Sequence, residues 1–176
     1  MTARTEIPAF VVKTMETDAE KDGKAFVHYT AWRETYTGLM PEEYLAGRSL
    51  ERQRQRTYEN PGNTLVAIAD GQVVGFACYY PNARDFVSVK PAAEIGALYV
   101  LKAYQRRGIG TALMRACISR MPPLPTALFV LRGNEKAIRF YEKNGFAFTG
   151  NHLEQTVTGG TLVELEMVRR EGPGHG

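Results

Sequence analysis

The sequence is poor in the residues that carry the commoner chemistries of small proteins. It has two cysteines, Cys78 and Cys117, with no Cys-x-x-Cys or Cys/His ligand spacing around either. That excludes a disulfide framework and a zinc ribbon, and both are expected to be buried free thiols. The histidines are as scattered: His28 and His152 lack any ligand cluster, and His175 falls in the terminal Glu171-Gly172-Pro173-Gly174-His175-Gly176 run. Metal catalysis therefore has no support in the sequence. No apolar run approaches the length of a membrane span, and the first residues lack the apolar centre of a signal peptide. A cytoplasmic protein with no membrane partner is the expectation. Excess charge is small too, with 22 Lys and Arg against 19 Asp and Glu for a net +3. That balance permits an anionic ligand but falls short of a nucleic-acid binder's basic stripe, so no nucleic-acid partner is expected.

What remains is ordinary globular composition: 176 residues, 44% of them hydrophobic. This suits a single domain over residues 1–170 with a flexible tail over 171–176. Residues 8–13 read as an edge strand, and Thr17 offers an N-cap to a helix reaching about Tyr36. Phe26, Tyr29, Trp32 and Tyr36 recur on it at spacings of three or four, which marks a core stripe. Trp32 and Tyr36, next to Gly38, Leu39 and Met40, are placed equally well to line a substrate. Pro41 starts a short helix through Leu45, and residues 49–58 form another, whose Arg52, Arg54 and Arg56 alternate and so scatter over a solvated face. Asp70-Gly71 between the apolar runs 64–69 and 72–80 is a strong hairpin signal. Residues 94–100 make the next strand, with Gly96 where a bulge or a close backbone approach is plausible. A helix follows from Gly108 to about Arg120 and stops at Met121-Pro122-Pro123. Residues 127–131 read as a buried strand, Asn134 caps a helix that ends at Gly145, and two strands over 146–149 and 161–169 complete the chain. Val163, Leu165 and Met167 alternate with Glu164 and Glu166 in the last of these, the pattern of a half-exposed strand.

The most informative stretch joins the strand ending at Val100 to the helix after Gly108. The first amides of a helix lack intrahelical partners, so Gly108, Ile109, Gly110 and Thr111 can point N–H groups at one bound phosphate, with Arg106 and Arg107 adding charge. A dinucleotide fingerprint would want glycine or alanine where Leu113 stands, and an acidic residue about twenty positions on. A P-loop would want Gly-Lys-Ser/Thr after four residues. Neither is present.

What does match is Gln105-Arg106-Arg107-Gly108-Ile109-Gly110, a Gln-x-x-Gly-x-Gly after a strand, and it resembles the signature of the GNAT acetyltransferase superfamily. Trp32 to Pro41 is similar to the first helix and loop of many bacterial members. Asn134 to Phe146 is similar to the helix and strand that close the family's cofactor site. The three segments come in the family's order, so the resemblance covers roughly residues 8–170 and is closest to the bacterial small-amine type. One departure is Lys102-Ala103, where many relatives have proline shortly after the strand.

The resemblance implies an α/β (α+β) fold, the GNAT acyl-CoA N-acyltransferase fold. This is a mixed, mostly antiparallel twisted sheet of about seven strands with helices on both faces. Its fourth and fifth strands splay to admit acetyl-coenzyme A. By the same resemblance Leu98, Tyr99 and Val100 pair their backbone with the pantetheine. Gln105, Arg106, Arg107, Gly108, Ile109, Gly110 and Thr111 cradle the pyrophosphate, and Asn134 touches the pantetheine arm. A homodimer is within the family's range.

Acetyl transfer to an amine needs a proton acceptor for the ammonium, a polarised carbonyl and a proton donor for the thiolate. Glu94, at the start of the pantetheine strand, is the candidate base; the alternative is a solvated carboxylate at a strand end, with an ordered water as base. Tyr141 is the candidate acid, its phenol with an ordinary pKa of about 10 lying at the coenzyme sulfur by the resemblance. As a core aromatic it would need another hydrogen-bond partner. A backbone N–H at Tyr99 or Val100 would polarise the carbonyl. Neither cysteine has an activating neighbour, so direct attack is favoured over a covalent route. The reading is an N-acetyltransferase acting on a small-molecule amine, with Trp32 and Tyr36 on the acceptor side. The alternatives are a protein N-terminal or lysine acetyltransferase and a coenzyme A-binding regulatory module.

Overall fold

Asp70 and Gly71 both take positive φ, 52° and 74°, as a two-residue hairpin turn that follows the twist of its strands requires. They join β2 (Thr64–Ala69) to β3 (Gln72–Tyr80) in an antiparallel pair. The computed structural model describes residues 9–170. Pro8, the tail expected over 171–176 and His175 lie outside the described residues.

β1 (Val11–Thr14), β4 (Ala93–Val100), β5 (Thr126–Leu131), β6 (Phe146–Val157) and β7 (Gly160–Arg169) complete a seven-stranded sheet of order β1-β2-β3-β4-β5-β7-β6. Every neighbouring pair is antiparallel except β4 and β5. The helices are α1 (Asp18–Tyr36), α2 (Glu42–Ala46), α3 (Leu50–Glu59), α4 (Ile109–Arg120) and α5 (Glu135–Lys143). α4 and α5 cover one face through Ile109, Leu113, Cys117 and Ile138, packed on Val74, Ile95, Leu128 and Met167. α1 covers the other through Val27 and Ala31 on Val66, Val73 and Phe76. Among the described residues no helix is long and apolar enough to cross a membrane.

Three expectations change. Phe26 is 49% exposed and Tyr29 half-buried, so the aromatic stripe of α1 does not continue into the core. The helix rests on the sheet through its small residues instead: a Cβ at Gly23 would lie 2.7 Å from Val73 Cγ2. Spacing defines two candidate stripes on such a helix, and only close packing selects between them. β6 runs on to Val157 through an irregularity between Phe148 and His152, and so pairs with β7 along its length. Cys117 is buried, but Cys78 is only half-buried, its sulfur 3.3 Å from Thr64 Oγ1.

The site is made by what β4 does. It pairs with β5 only at Ala93 with Thr126 and Glu94 with Ala127. Beyond those pairs the two strands separate. On its other side Cys78 opposes Ala97 while Tyr79 opposes Ile95, leaving Gly96 as the extra residue of a bulge. A bulge reverses the side-chain phase. Ile95 accordingly joins the core under α4, whereas Ala97 and Tyr99 pack on the α1 side.

Candidate active site

The gap between β4 and β5 opens into a cavity of about 400 Å³. Leu101 N–H donates to Val74 O at 2.9 Å. Antiparallel alternation then turns the Tyr99 amide toward β3 and the amides of Leu98 and Val100 toward the gap. Of the residues expected at the coenzyme, Leu98, Tyr99, Val100, Gln105, Arg106, Gly108, Gly110, Thr111, Asn134 and Tyr141 line this one cavity, as does Tyr36. Two side chains expected there do not: Ile109 is buried in the α4 core, and the Arg107 guanidinium lies 5.1 Å from the Tyr104 ring centroid.

At one end the cavity meets the start of α4. Gly108 sits at φ 81° as the helix N-cap, a left-handed conformation that glycine adopts without steric cost. The bond from Ala112 N–H to Gly108 O opens the helix, so the amides of Ile109, Gly110 and Thr111 before it have no intrahelical acceptor. Gln105 turns inward to donate from Nε2 to Val100 O at 3.0 Å. It also accepts from Lys136 Nζ at 2.5 Å. Lys136 lines the cavity too, a cation that sequence reading missed although it stands two residues after Asn134. Asn134 caps α5 by accepting Ala137 N–H at 3.3 Å, which leaves its amide NH2 free of that duty. A slot with an unpaired strand edge, free helix amides and two cations fits an extended thioester bearing a pyrophosphate.

At the other end are phenols and one carboxylate. Tyr36 and Tyr99 share a hydroxyl hydrogen bond of 3.0 Å, and burial raises both pKa values. Burial also pushes the Tyr141 phenol far above its ordinary value. Trp32 does not reach the cavity; it stands behind Tyr36 with ring centroids 5.4 Å apart, and Arg48 lies 4.3 Å above it. The carboxylate here is Glu164 on β7, half-buried and raised by burial, an effect that the charge of Arg84 partly offsets. Sequence reading had it as the wet side of a half-exposed strand. The available signal was two acids at the centre of that strand, of which Glu166 is fully buried.

Glu94 is placed differently from the expectation of a strand-end carboxylate in solvent. It is fully buried, does not line the cavity, and is held by Arg84. Arg84 Nη2 donates to Oε1 at 2.5 Å and Arg84 N–H to Oε2 at 3.1 Å.

A sheet split at a parallel strand pair, with a helix N-terminus at one end of the split and an acid with phenols at the other, defines a coenzyme A-dependent acyltransferase. The chain belongs to the acetyltransferase (GNAT) family, whose sequence profile matches residues 28–146. It is 29% identical over 133 residues to a Mycobacterium tuberculosis protein named a probable N-acetyltransferase, covering 72% of this chain and 74% of that one. It is 29% identical to the peptidyl-lysine N-acetyltransferase YiaC of Escherichia coli, over 81% of this chain and 78% of the relative. It is 27% identical to a spermidine N(1)-acetyltransferase of Thermoplasma acidophilum, over 66% and 75%. In fold it superposes on the PaiA N-acetyltransferase of Thermoplasma acidophilum, solved with coenzyme A, with a TM-score of 0.65 at 23% identity, covering 93% of this chain and 99% of that one. The activity is N-acetyl transfer, and acetyl-coenzyme A is the donor.

Proposed function

We propose that the acceptor is the primary amine of a small molecule, which attacks directly with Glu164 as base and Tyr141 as acid. The observation that carries this reading is that Glu164 and Tyr141 line the same cavity at the split between β4 and β5. Bound acetyl-coenzyme A supplies the activated acetyl group. The amides of Ile109, Gly110 and Thr111 would hold its pyrophosphate together with Arg106 and Lys136. The Leu98 and Val100 amides would pair with the pantetheine and polarise the carbonyl. Glu164 takes one proton of the ammonium and passes it to solvent. The amine nitrogen then forms its bond to the acetyl carbon as the carbon–sulfur bond breaks, and gives its second proton back to Glu164 as the neutral amide forms. Tyr141 gives its phenolic proton to the departing sulfur, and solvent restores both groups. Glu94 is not assigned the base's role, because Arg84 already occupies its carboxylate.

A small acceptor is favoured by the chain around the site. A Cβ at Gly159, in the turn between β6 and β7, would lie 2.9 Å from Pro41 Cβ. The loop after α1, which starts beside the cavity-lining Tyr36, therefore closes on that turn. Requiring acetyl-coenzyme A, the reaction belongs in the cytoplasm. The test is thiol release from acetyl-coenzyme A with a panel of amino acids, polyamines and a lysine peptide. Small amines should turn over, with kcat reduced by roughly a hundredfold or more in Glu164→Gln. Turnover of the lysine peptide alone would assign a protein acceptor. Thermal stabilisation by acetyl-coenzyme A without thiol release on any amine would make the protein a binding module.

A further inference from the structure

The Arg84–Glu94 pair is more elaborate than an anchor for a loop requires. The guanidinium meets the buried carboxylate along one edge, with Nε 3.1 Å from both oxygens and Nη2 2.5 Å from Oε1. Its carbon lies 4.6 Å from the ring centroids of both Tyr80 and Phe86. Those rings rest on the two strands that part. The Tyr80 ring lies so close over Gly96 that a Cβ there would be 2.5 Å from Cε2. Phe86 stands edge-on to Phe129 with centroids 5.4 Å apart. Gly96 on β4 and Phe129 on β5 both line the cavity. Arg84 does not itself line the cavity, but it is carried next to two residues that do, by rings seated on β4 and β5.

Held this way, the guanidinium still has an edge to offer. Glu94 engages Nε and Nη2, so among the described residues the edge made by Nη1 and the second Nη2 hydrogen is uncommitted, and the side chain is 40% exposed. That edge is a planar fork, which matches a carboxylate with two parallel hydrogen bonds. A buried ion pair is by itself a weak source of stability, because desolvation offsets attraction. The buried Glu94 instead fixes where the guanidinium points.

We infer that Arg84 is a specificity residue that binds a carboxylate on the acceptor, so that the substrate is an amine bearing a carboxylate, of the amino-acid class. The inference rests on the small-amine reading and narrows it. Glu164 takes the ammonium end and Arg84 the carboxylate end; Glu164 pairs with Leu131 on β5, two residues along from the Phe129 ring against which Phe86 stands. A polyamine presents a second cation to Arg84 and is disfavoured by like charge.

The test compares kcat/KM for glycine, β-alanine and leucine with their carboxamides, and with putrescine, using the full chain and acetyl-coenzyme A. Wild type should prefer at least one carboxylate over its carboxamide by roughly ten- to hundredfold, mainly through KM. In Arg84→Gln that ratio should fall to near unity, a change a purely structural role would not produce, since loosening the loop would affect both acceptors alike. Arg84→Lys keeps a charge beside Glu94 but lacks the fork, and should lose most of the ratio. It serves as the variant of record should Arg84→Gln fail to fold. Carboxamides or putrescine used as well as every carboxylate by wild type, or an unchanged ratio in Arg84→Lys, would overturn the inference while leaving acetyl transfer to small amines standing. No thiol release with any amine would overturn both.

Discussion

Burial moves Tyr141 and Glu164 in the same direction, with complementary results. A phenol raised above its ordinary value stays protonated and is available to donate. A carboxylate raised above its ordinary value is a stronger base toward an ammonium. Tyr141→Phe should lower kcat by about a hundred- to ten-thousandfold with little change in the KM for acetyl-coenzyme A, as read by steady-state thiol release. For Glu164, as the proposed base, the sign follows from the need to be ionised. Activity should fall as pH drops through its raised pKa, so the acid limb of kcat/KM lies above the usual carboxylate range and is absent from the residual rate of Glu164→Gln. The place of Tyr141 at the cavity was legible in the sequence because it sits in a segment similar to the family's cofactor-closing helix. Glu164 was not, because alternation tells which side of a strand is polar but not what covers that side.

Among the elements, α1 shows how a local signal is reinforced from a distance. Thr17 caps it by accepting Glu20 N–H at 3.1 Å, and Glu20 reaches back to the amides of Glu16 and Thr17. Lys13 on β1 donates to Glu20 as well, and with those amides it holds the carboxyl down at about 2. Thr17→Ala should cost about 1 kcal/mol in chemical denaturation. Because Glu20 is depressed in the folded chain, its contribution is complete above its unfolded value of 4.5 and is lost as pH falls from there to about 2. Glu20→Gln should remove that part of the acid dependence. On β4 the sequence marked Gly96 as a point of bulge or close approach, and it is both. Gly96→Ala drives a methyl into the Tyr80 ring, and should destabilise by roughly 1–3 kcal/mol and raise the acceptor KM by displacing Arg84. The cap and the bulge were readable because both depend on neighbours along the chain; the Lys13 contact and the Tyr80 ring come from other strands.

For the whole molecule, α4 and α5 cover one face of the sheet and α1 covers the other. His28 lies where α1 meets that sheet, 5.1 Å from Phe76 and 5.5 Å from Tyr99 between ring centroids, with Nδ1 buried and unpartnered among the described residues. Burial lowers its pKa from 6.5 to about 3, so the folded protein keeps it neutral. The unfolded chain takes up this proton below 6.5, and its share of stability therefore declines as pH falls from 6.5 toward 3. Thermal melts between pH 6.5 and about 5, above the Glu20 window, should show a fall in Tm for wild type that is shallower in His28→Asn.

The sequence by itself determined the class of protein and the donor end of its site. The hairpin at Asp70-Gly71, the helix start at Gly108 and the cap at Asn134 rest on contacts within a few residues, and such contacts are written in local order. Only the tertiary structure decided which side chains share the far end of the cavity. Tyr36, Tyr99 and Glu164 come from α1, β4 and β7, and they line one cavity because two strands separate and a bulge reverses the phase of one of them. Periodicity gives a residue its face, but which face is covered, and by what, depends on packing between segments far apart in the chain.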